Sequence, residues 1–413
     1  MATAFFVLVA SAGAILVLCH GLLGTGSWFT GGFLALSTIG LFSFSRWRNY
    51  RLTPSDAMFA VFAGCAALSF SLNGFTTDAR EVSLFILSLA AYPASRLFAN
   101  GEVKSSFIWG TARIVGAGVT VTALALISQW DSRHGKPMVF GEFDAAPMQF
   151  LTSLGFLIIA SVCANMTLRR TIIICALIFF PVAIFAASMV RFTFLAIAGG
   201  LALAAFLTTP RDRKYVCTIM LVMFVAVGGG LWARSATTMK YLHHEIAGKP
   251  IVLASAGDAF LIPVLRNWLP GCANVDGDNS IAIRKQIYRE ARDTVSAAGP
   301  FGIGLDGFMR ISCVPGAEVH NSVLQVTIEL GWLAGVAFAS LIIVSAASLL
   351  PFARHDLEVR FALCSLIYLV LLSMAHGRIS RDALLFLFLG YAAGIYNGLT
   401  KSTPAAELLP ATA

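Results

Sequence analysis

The chain has 413 residues, of which 58% are hydrophobic and 12% charged, with 29 Lys and Arg against 21 Asp and Glu. Soluble domains carry about twice that share of charge, so the composition excludes an ordinary cytosolic enzyme and a disordered chain. The net charge of +8 does not point to nucleic acid, because a membrane protein gathers Lys and Arg on its cytoplasmic loops.

A bilayer core of about 30 Å takes about 20 apolar residues per helix. On that measure the expected fold is an all-α polytopic membrane protein. Twelve spans are predicted, over residues 4–23, 28–45, 55–73, 82–99, 106–129, 148–168, 171–188, 192–209, 215–233, 322–350, 361–376 and 383–399. The first lacks a basic leading region, so it reads as a span and not as a cleaved signal. With both termini in the cytoplasm, the inner loops hold Arg46, Arg48, Arg51, Lys104, Arg169, Arg170, Arg211, Arg213, Lys214, Arg354, Arg360 and Lys401, with Arg96 near an inner end. The short outer segments hold Arg80, Arg133, Lys136, Arg191, Arg378 and Arg381. That bias of about two to one sets the expected orientation.

The expected organisation is nine spans over 1–233, a large and partly helical outer loop over 234–320, three spans over 321–400 and a cytoplasmic tail over 401–413. The loop falls after nine spans, so the chain does not split into matching halves. Cys272 and Cys313 both lie in the loop. In an oxidising compartment they could form a disulfide, and two unpaired thiols are the other reading.

Within the loop, Asp278, Asn279 or Ser280 can cap a helix whose Ile283, Ile287, Ala291 and Val295 share one face. Arg284, Tyr288 and Arg292 form a neighbouring stripe, which by itself reads as a solvated basic face. Gly299-Pro300 ends the helix. The following Pro-Phe-Gly-Ile-Gly-Leu-Asp-Gly-Phe, residues 300–308, is a tight turn, or a turn whose N–H groups face a phosphate. His320 and Asn321 then sit at the outer mouth of span ten, with Glu329 about two turns deeper. An intramembrane carboxylate usually serves a function or a buried partner. A histidine at the water interface can take a proton from a hydroxyl.

The run His320-Asn321, Leu324, Glu329, Gly331 resembles the signature of the O-antigen ligase and O-antigen polymerase superfamily of bacterial membrane glycosyltransferases. Arg284 with Tyr288, then Pro-Phe-Gly-Ile-Gly, then Phe308 resemble that family in the same order. Ser188-Met189-Val190-Arg191 is the nearest match to a Ser-Arg-Gly at an upstream span mouth. The resemblance implies a GT-C-like fold in the bacterial inner membrane with a periplasmic active site. It implies transfer of a glycan from an undecaprenyl-diphosphate carrier to an acceptor hydroxyl, on lipid A–core or a similar acceptor, with inversion. A polymerase of lipid-linked repeat units is the alternative within the family, and a transporter or flippase the alternative outside it.

On this reading His320 is the catalytic residue and Arg191 and Arg284 hold the donor diphosphate. Asn321, Glu329, Tyr288, Arg378 and Arg381 are supporting candidates. Permanently charged guanidinium forks suit a diphosphate, so neither a metal nor another cofactor is expected. Asp276-Gly277-Asp278 reads as a turn, and His243 and His244 are adjacent, a poor arrangement for one ion. The expected partners are the lipid-linked glycan donor, the glycan or lipid A–core acceptor and membrane lipids. Segments 236–275 and 130–147 are expected to set specificity.

Overall fold

A computed structural model describes residues 1–45, 50–74, 77–98, 103–130, 136–235, 280–314, 316 and 318–402. Among them the secondary structure is helical, with no strand beyond an isolated bridge between Val139 and Phe143. The helices are α1 (Ala2–Ala10), α2 (Ala12–Leu23), α3 (Ser27–Ser43), α4 (Pro54–Asn73), α5 (Ala79–Arg96), α6 (Val103–Ser128), α7 (Ala146–Val162), α8 (Leu168–Ala187), α9 (Phe192–Leu207) and α10 (Pro210–Ala233). After the loop come α11 (Ser280–Ala298), α12 (Gly307–Ile311), α13 (Ser322–Glu329), α14 (Trp332–Leu349), α15 (Leu357–His376), a 3-10 turn (Ile379–Arg381) and α16 (Ala383–Ser402).

Seven helices, α4, α6, α8, α10, α14, α15 and α16, are long and apolar enough to cross a membrane, and the bent pair α1–α2 makes an eighth. The chain is therefore a multi-pass membrane protein. The helices α3, α7 and α9, at 17, 17 and 16 residues, are apolar but short for a span.

Two expected spans are broken. The first bends by 73° between α1 and α2. Beyond the bend α2 runs close to its neighbours. A Cβ on Gly13 would lie 2.1 Å from the Gln149 Oε1, and one on Gly21 would lie 1.9 Å from the Phe140 ring. The tenth breaks at Gly331, whose φ of 98° ends α13 before α14 begins. Glu329 thus closes a short helix ahead of the span and does not lie within it.

The helix α7 is buried on nearly every side, as expected of a helix apolar all round. It packs against α6, α9 and α15, while α8 pairs with α10, α5 with α16 and α4 with α14. A cluster of Phe6, Phe107, Phe156, Phe361, Phe388 and Tyr391 fills the centre, its rings 5.0–6.2 Å apart. A second, small apolar cluster lies outside the bundle. It joins Ile287 and Ala291 of α11 to Phe308, Ile311, Val319 and Ile328, so the folded part of the loop continues through α13. Cys313 is disulfide-bonded, which removes the unpaired-thiol reading for it. The expected partner Cys272 and the expected cap at Asp278 or Asn279 lie outside the described residues.

At the end of the bundle expected to face the cytoplasm, Thr53 and Asp56 form a capping box that starts α4. Arg96 Nε donates to Asp56 at 2.9 Å, Arg96 Nη2 donates to the Arg51 carbonyl at 2.6 Å, and Tyr92 Oη donates to Asp56 at 3.1 Å. Both charged side chains are at most 5% exposed. Removing one partner of such a pair strands a buried charge, at a cost of about 3–5 kcal/mol. Asp56→Ala should therefore lower the unfolding temperature of the detergent-purified protein markedly, and adding Arg96→Met should restore much of the loss. An unchanged unfolding temperature in Asp56→Ala would show that the pair does not hold α4 to α5.

Candidate active site

The helix α11 carries the first part of the site. Ile287 and Ala291 are buried, with Ile283 and Val295 packed beside them, as the four-residue spacing predicts. A polar face is buried as well. The fully buried Glu290 accepts from Gln286 Nε2 at 2.7 Å, Ser312 Oγ at 2.8 Å and the Cys313 N–H at 3.1 Å. The basic stripe divides. Arg292 faces solvent, 80% exposed, whereas Arg284 and Tyr288 dock on the end of α15.

Tyr288 Oη donates to the Met374 carbonyl at 3.2 Å. The Arg284 guanidinium lies 4.2 Å from the centre of the Phe192 ring, a cation–π contact, and Nη2 donates to His376 Nδ1 at 3.4 Å. The His376 ring meets Phe192 edge-on at 5.7 Å. Guanidinium only donates, so Nδ1 accepts and this hydrogen bond assigns the proton to Nε2. Nε2 is buried and has no hydrogen-bond partner among the described residues. Arg284 itself is held below the usual arginine value by burial.

His320 stands in the left-handed region at φ 55°, a conformation that costs energy and persists where its surroundings enforce it. Val319 before it is buried in the small cluster. Asn321 after it caps α13, accepting the Leu324 N–H at 3.0 Å. Asn321 thus fixes the backbone directly after His320. Burial, then the charges of Arg284 and Lys136, push the His320 pKa below its ordinary value. The ring is therefore neutral at pH 7 and able to accept a proton. Arg191 caps the start of α9 beside Phe192, after Met189 turns the chain at φ 65°.

His376 also lines a cleft of about 290 Å³. Its walls include Gln149 and Thr152 of α7, Glu318, and Arg378, Arg381 and Asp382 from the turn between α15 and α16. Asp382 accepts from the hydroxyls of Ser322 and, at 2.7 Å, Ser373. Burial lifts its pKa to about 6.

The structure adds surroundings to three sequence features here. Arg378 donates to Asp306 at 2.9 Å and Glu318 at 2.6 Å, and pairs with Glu81 at 3.4 Å. Arg381 pairs with Glu81 as well. These arginines are occupied by three carboxylates, a condition invisible to sequence because Glu81 on α5 and Asp306 and Glu318 in the loop all lie far from them along the chain. Glu329 faces the glycine-rich turn. It accepts from Gln325 Nε2 at 2.8 Å and from the backbone N–H groups of Asp306 and Phe308. The turn itself spends its donors inside the protein, with the Ile303 N–H going to the Ile328 carbonyl at 3.1 Å and the Gly304 N–H to the Glu329 carbonyl at 2.9 Å. It is a packing device and not a phosphate cradle.

Sequence reasoning missed Lys136, Phe192, Glu318, His376 and Asp382. His376 had a readable signal, a histidine followed by Gly-Arg at the same span end that supplied Arg378. The others are joined to the site only by the fold.

A half-buried arginine, two imidazoles and a polar cleft thus gather at the ends of apolar helices of membrane-crossing length. Residues 173–339 match the family described as O-antigen ligase, a match that supports membership of the O-antigen ligase superfamily. Its members are membrane glycosyltransferase-like ligases and polymerases. The matched stretch contains Arg191, Phe192, Arg284, Tyr288, His320 and Glu329. No curated protein matches the chain.

Two outcomes test this geometry. The His320 midpoint should lie below 6.5, and it should rise in Lys136→Gln and further in Arg284→Gln, since the larger opposing charge is removed. Carbon-13 labelled histidine, with His320→Gln for assignment, reads it; a wild-type midpoint at or above 6.5 contradicts the environment described. Burial and the Asp306 charge lift the Glu329 pKa to about 8, so Glu329 is largely protonated at pH 7. Glu329→Gln should keep the wild-type unfolding temperature, whereas Glu329→Ala strands three donors at about 1–3 kcal/mol each and should lower it.

Proposed function

We propose that the chain is an O-antigen ligase-like glycosyltransferase. It takes a glycan from an undecaprenyl-diphosphate carrier and passes it to an acceptor hydroxyl, on lipid A–core or a similar glycolipid, at the periplasmic face of the bacterial inner membrane. The carrying observation is the grouping of Arg284, Phe192, His376 and a neutral His320 at one end of the helices. The proposal keeps the twelve-crossing topology with both termini cytoplasmic, which puts this end outside.

In this reading Arg284 and Arg191 bind the diphosphate, and the Nε2–H of His376 donates a further hydrogen bond to it. His320 accepts the proton of the acceptor hydroxyl as its oxygen attacks the anomeric carbon. The bond from that carbon to the diphosphate oxygen breaks, the electron pair leaves on the diphosphate, and the configuration inverts. The arginines balance the developing charge, so the step as proposed requires no metal. Tyr288 and Asn321 position Arg284 and His320.

The purified protein, given an undecaprenyl-diphosphate-linked repeat unit with and without lipid A–core, tests the reading by gel and mass spectrometry. Product that requires lipid A–core supports the ligase. A ladder formed without it shows the polymerase of the same family. No covalent product from folded protein with a matched donor overturns both, and transport of the donor across vesicles would then favour a flippase. Loss of a general base costs about 10²–10⁴-fold, so His320→Ala should lose product by that order while remaining folded, and Arg284→Ala should lose it as well. Normal product from either removes its assigned role.

A further inference from the structure

A pair of cavities lies away from the arginine and histidine grouping. One, of about 580 Å³, is polar and aromatic, lined by His20, Thr25, Thr30, Arg80, Glu142 and Phe143 among others. The other, of about 370 Å³, is largely apolar, lined by Val121, Leu124, Ala125 and Ser128 on one face of α6 and by Met138. Both volumes fall in the range of ligand sites. Phe140 lines both cavities.

The segment that borders both cavities is held in place. Gln129 holds Met138 through two hydrogen bonds of 2.9 Å. The Val139 N–H donates to the Phe143 carbonyl at 3.1 Å, and Phe140 is held at φ 55° with its ring against Gly21. A left-handed phenylalanine is costly and marks a functional site more often than an ordinary turn does. In the polar cavity His20 Nε2 meets Thr30 Oγ1 at 2.9 Å, and the His20 ring stacks on Phe143 at 6.3 Å.

We infer that this pair of cavities binds a glycolipid, with uncharged sugar in the polar cavity and a hydrocarbon chain along α6. An aromatic face with an imidazole, two hydroxyls, a carboxylate and a guanidinium matches the alternating C–H faces and hydroxyls of a pyranose. One guanidinium, Arg80, and one exposed carboxylate, Glu142, balance in charge and suit an uncharged sugar; on the transferase reading that ligand is the acceptor. The segment carrying Glu142 and Phe143 continues into Ala145, Met148 and Gln149, which line the cleft beside His376. The acceptor assignment rests on the transferase reading; the glycolipid site does not.

The test uses the whole protein in lipid nanodiscs and dodecyl maltoside below its micelle concentration, with maltose and dodecylphosphocholine as comparisons, read by native mass spectrometry. Dodecyl maltoside should bind saturably, and about tenfold more tightly than either comparison. Glu142→Gln, at an exposed side chain, and Leu124→Trp, which fills the groove, should each weaken it at least about fivefold, while His320→Ala should bind as wild type. Equal binding of dodecylphosphocholine, or wild-type binding in both variants, overturns the site. If the binding pattern holds but no covalent product forms, the site stands and the transferase reading falls. If product forms and both variants keep the wild-type acceptor KM, the acceptor assignment falls and the transferase reading stands.

Discussion

The site depends on an interlock of two backbone segments. Residues 299–304 lie against 328–332 so closely that neither Gly302 nor Gly331 has room for a Cβ. One on Gly302 would sit 2.3 Å from the Glu329 carbonyl oxygen, and one on Gly331 2.2 Å from that of Pro300. Both glycines have positive φ, so two separate reasons select the residue. The Trp332 N–H closes the contact on the Gly299 carbonyl at 3.1 Å, and the Trp332 indole donates to the Val295 carbonyl at 2.6 Å. The helix that carries Arg284 is thereby fixed to the helix that His320 precedes. Ser69 and Asn73, at the end of α4, donate to the Phe301 carbonyl at 2.6 and 3.2 Å and tie the unit to the bundle.

Charge is then divided between two sides. Arg378 and Arg381 meet Glu81, Asp306 and Glu318, and this network braces the turn between α15 and α16 against α5 and the loop. Arg284 has no ion pair among the described residues; an aromatic face and an imidazole hold it. Cation–π contact orients a guanidinium without neutralising it. Arg284 therefore stands in different surroundings from Arg378 and Arg381, which the sequence placed beside it only as supporting candidates. The distinction is electrostatic, and it comes from where carboxylates arrive in space.

Much of this was legible in the chain. Apolar runs gave a membrane-spanning helical bundle, and the spacing of Ile287 and Ala291 gave the buried face of α11. These are local signals, each decided within one or two helical turns. The break at Gly331 was hidden inside a continuous apolar run, because its cause is a close approach by Pro300, about thirty residues away in sequence. Glu290 was hidden for a related reason. A buried carboxylate on an otherwise amphipathic helix looks solvated until Ser312 and the Cys313 N–H fold over it. His376 was passed over, although Gly-Arg beside it marks the span end, because its partner Arg284 lies 92 residues away in sequence.

The closeness of Arg284 to His320 has two opposed effects on a base. Its charge draws an anionic donor, and it also lowers the affinity of His320 for a proton, which keeps the ring neutral but makes it a weak base. In the proposed reaction these effects resolve in order. A diphosphate bound at Arg284 brings negative charge toward the same imidazole, and a nearby opposite charge favours the protonated ring. His320 then gains basicity when the donor is in place and not before. Release of the diphosphate would reverse the change and help the ring shed the proton it had taken. The same charge that holds the leaving group thus links donor binding to the strength of the base.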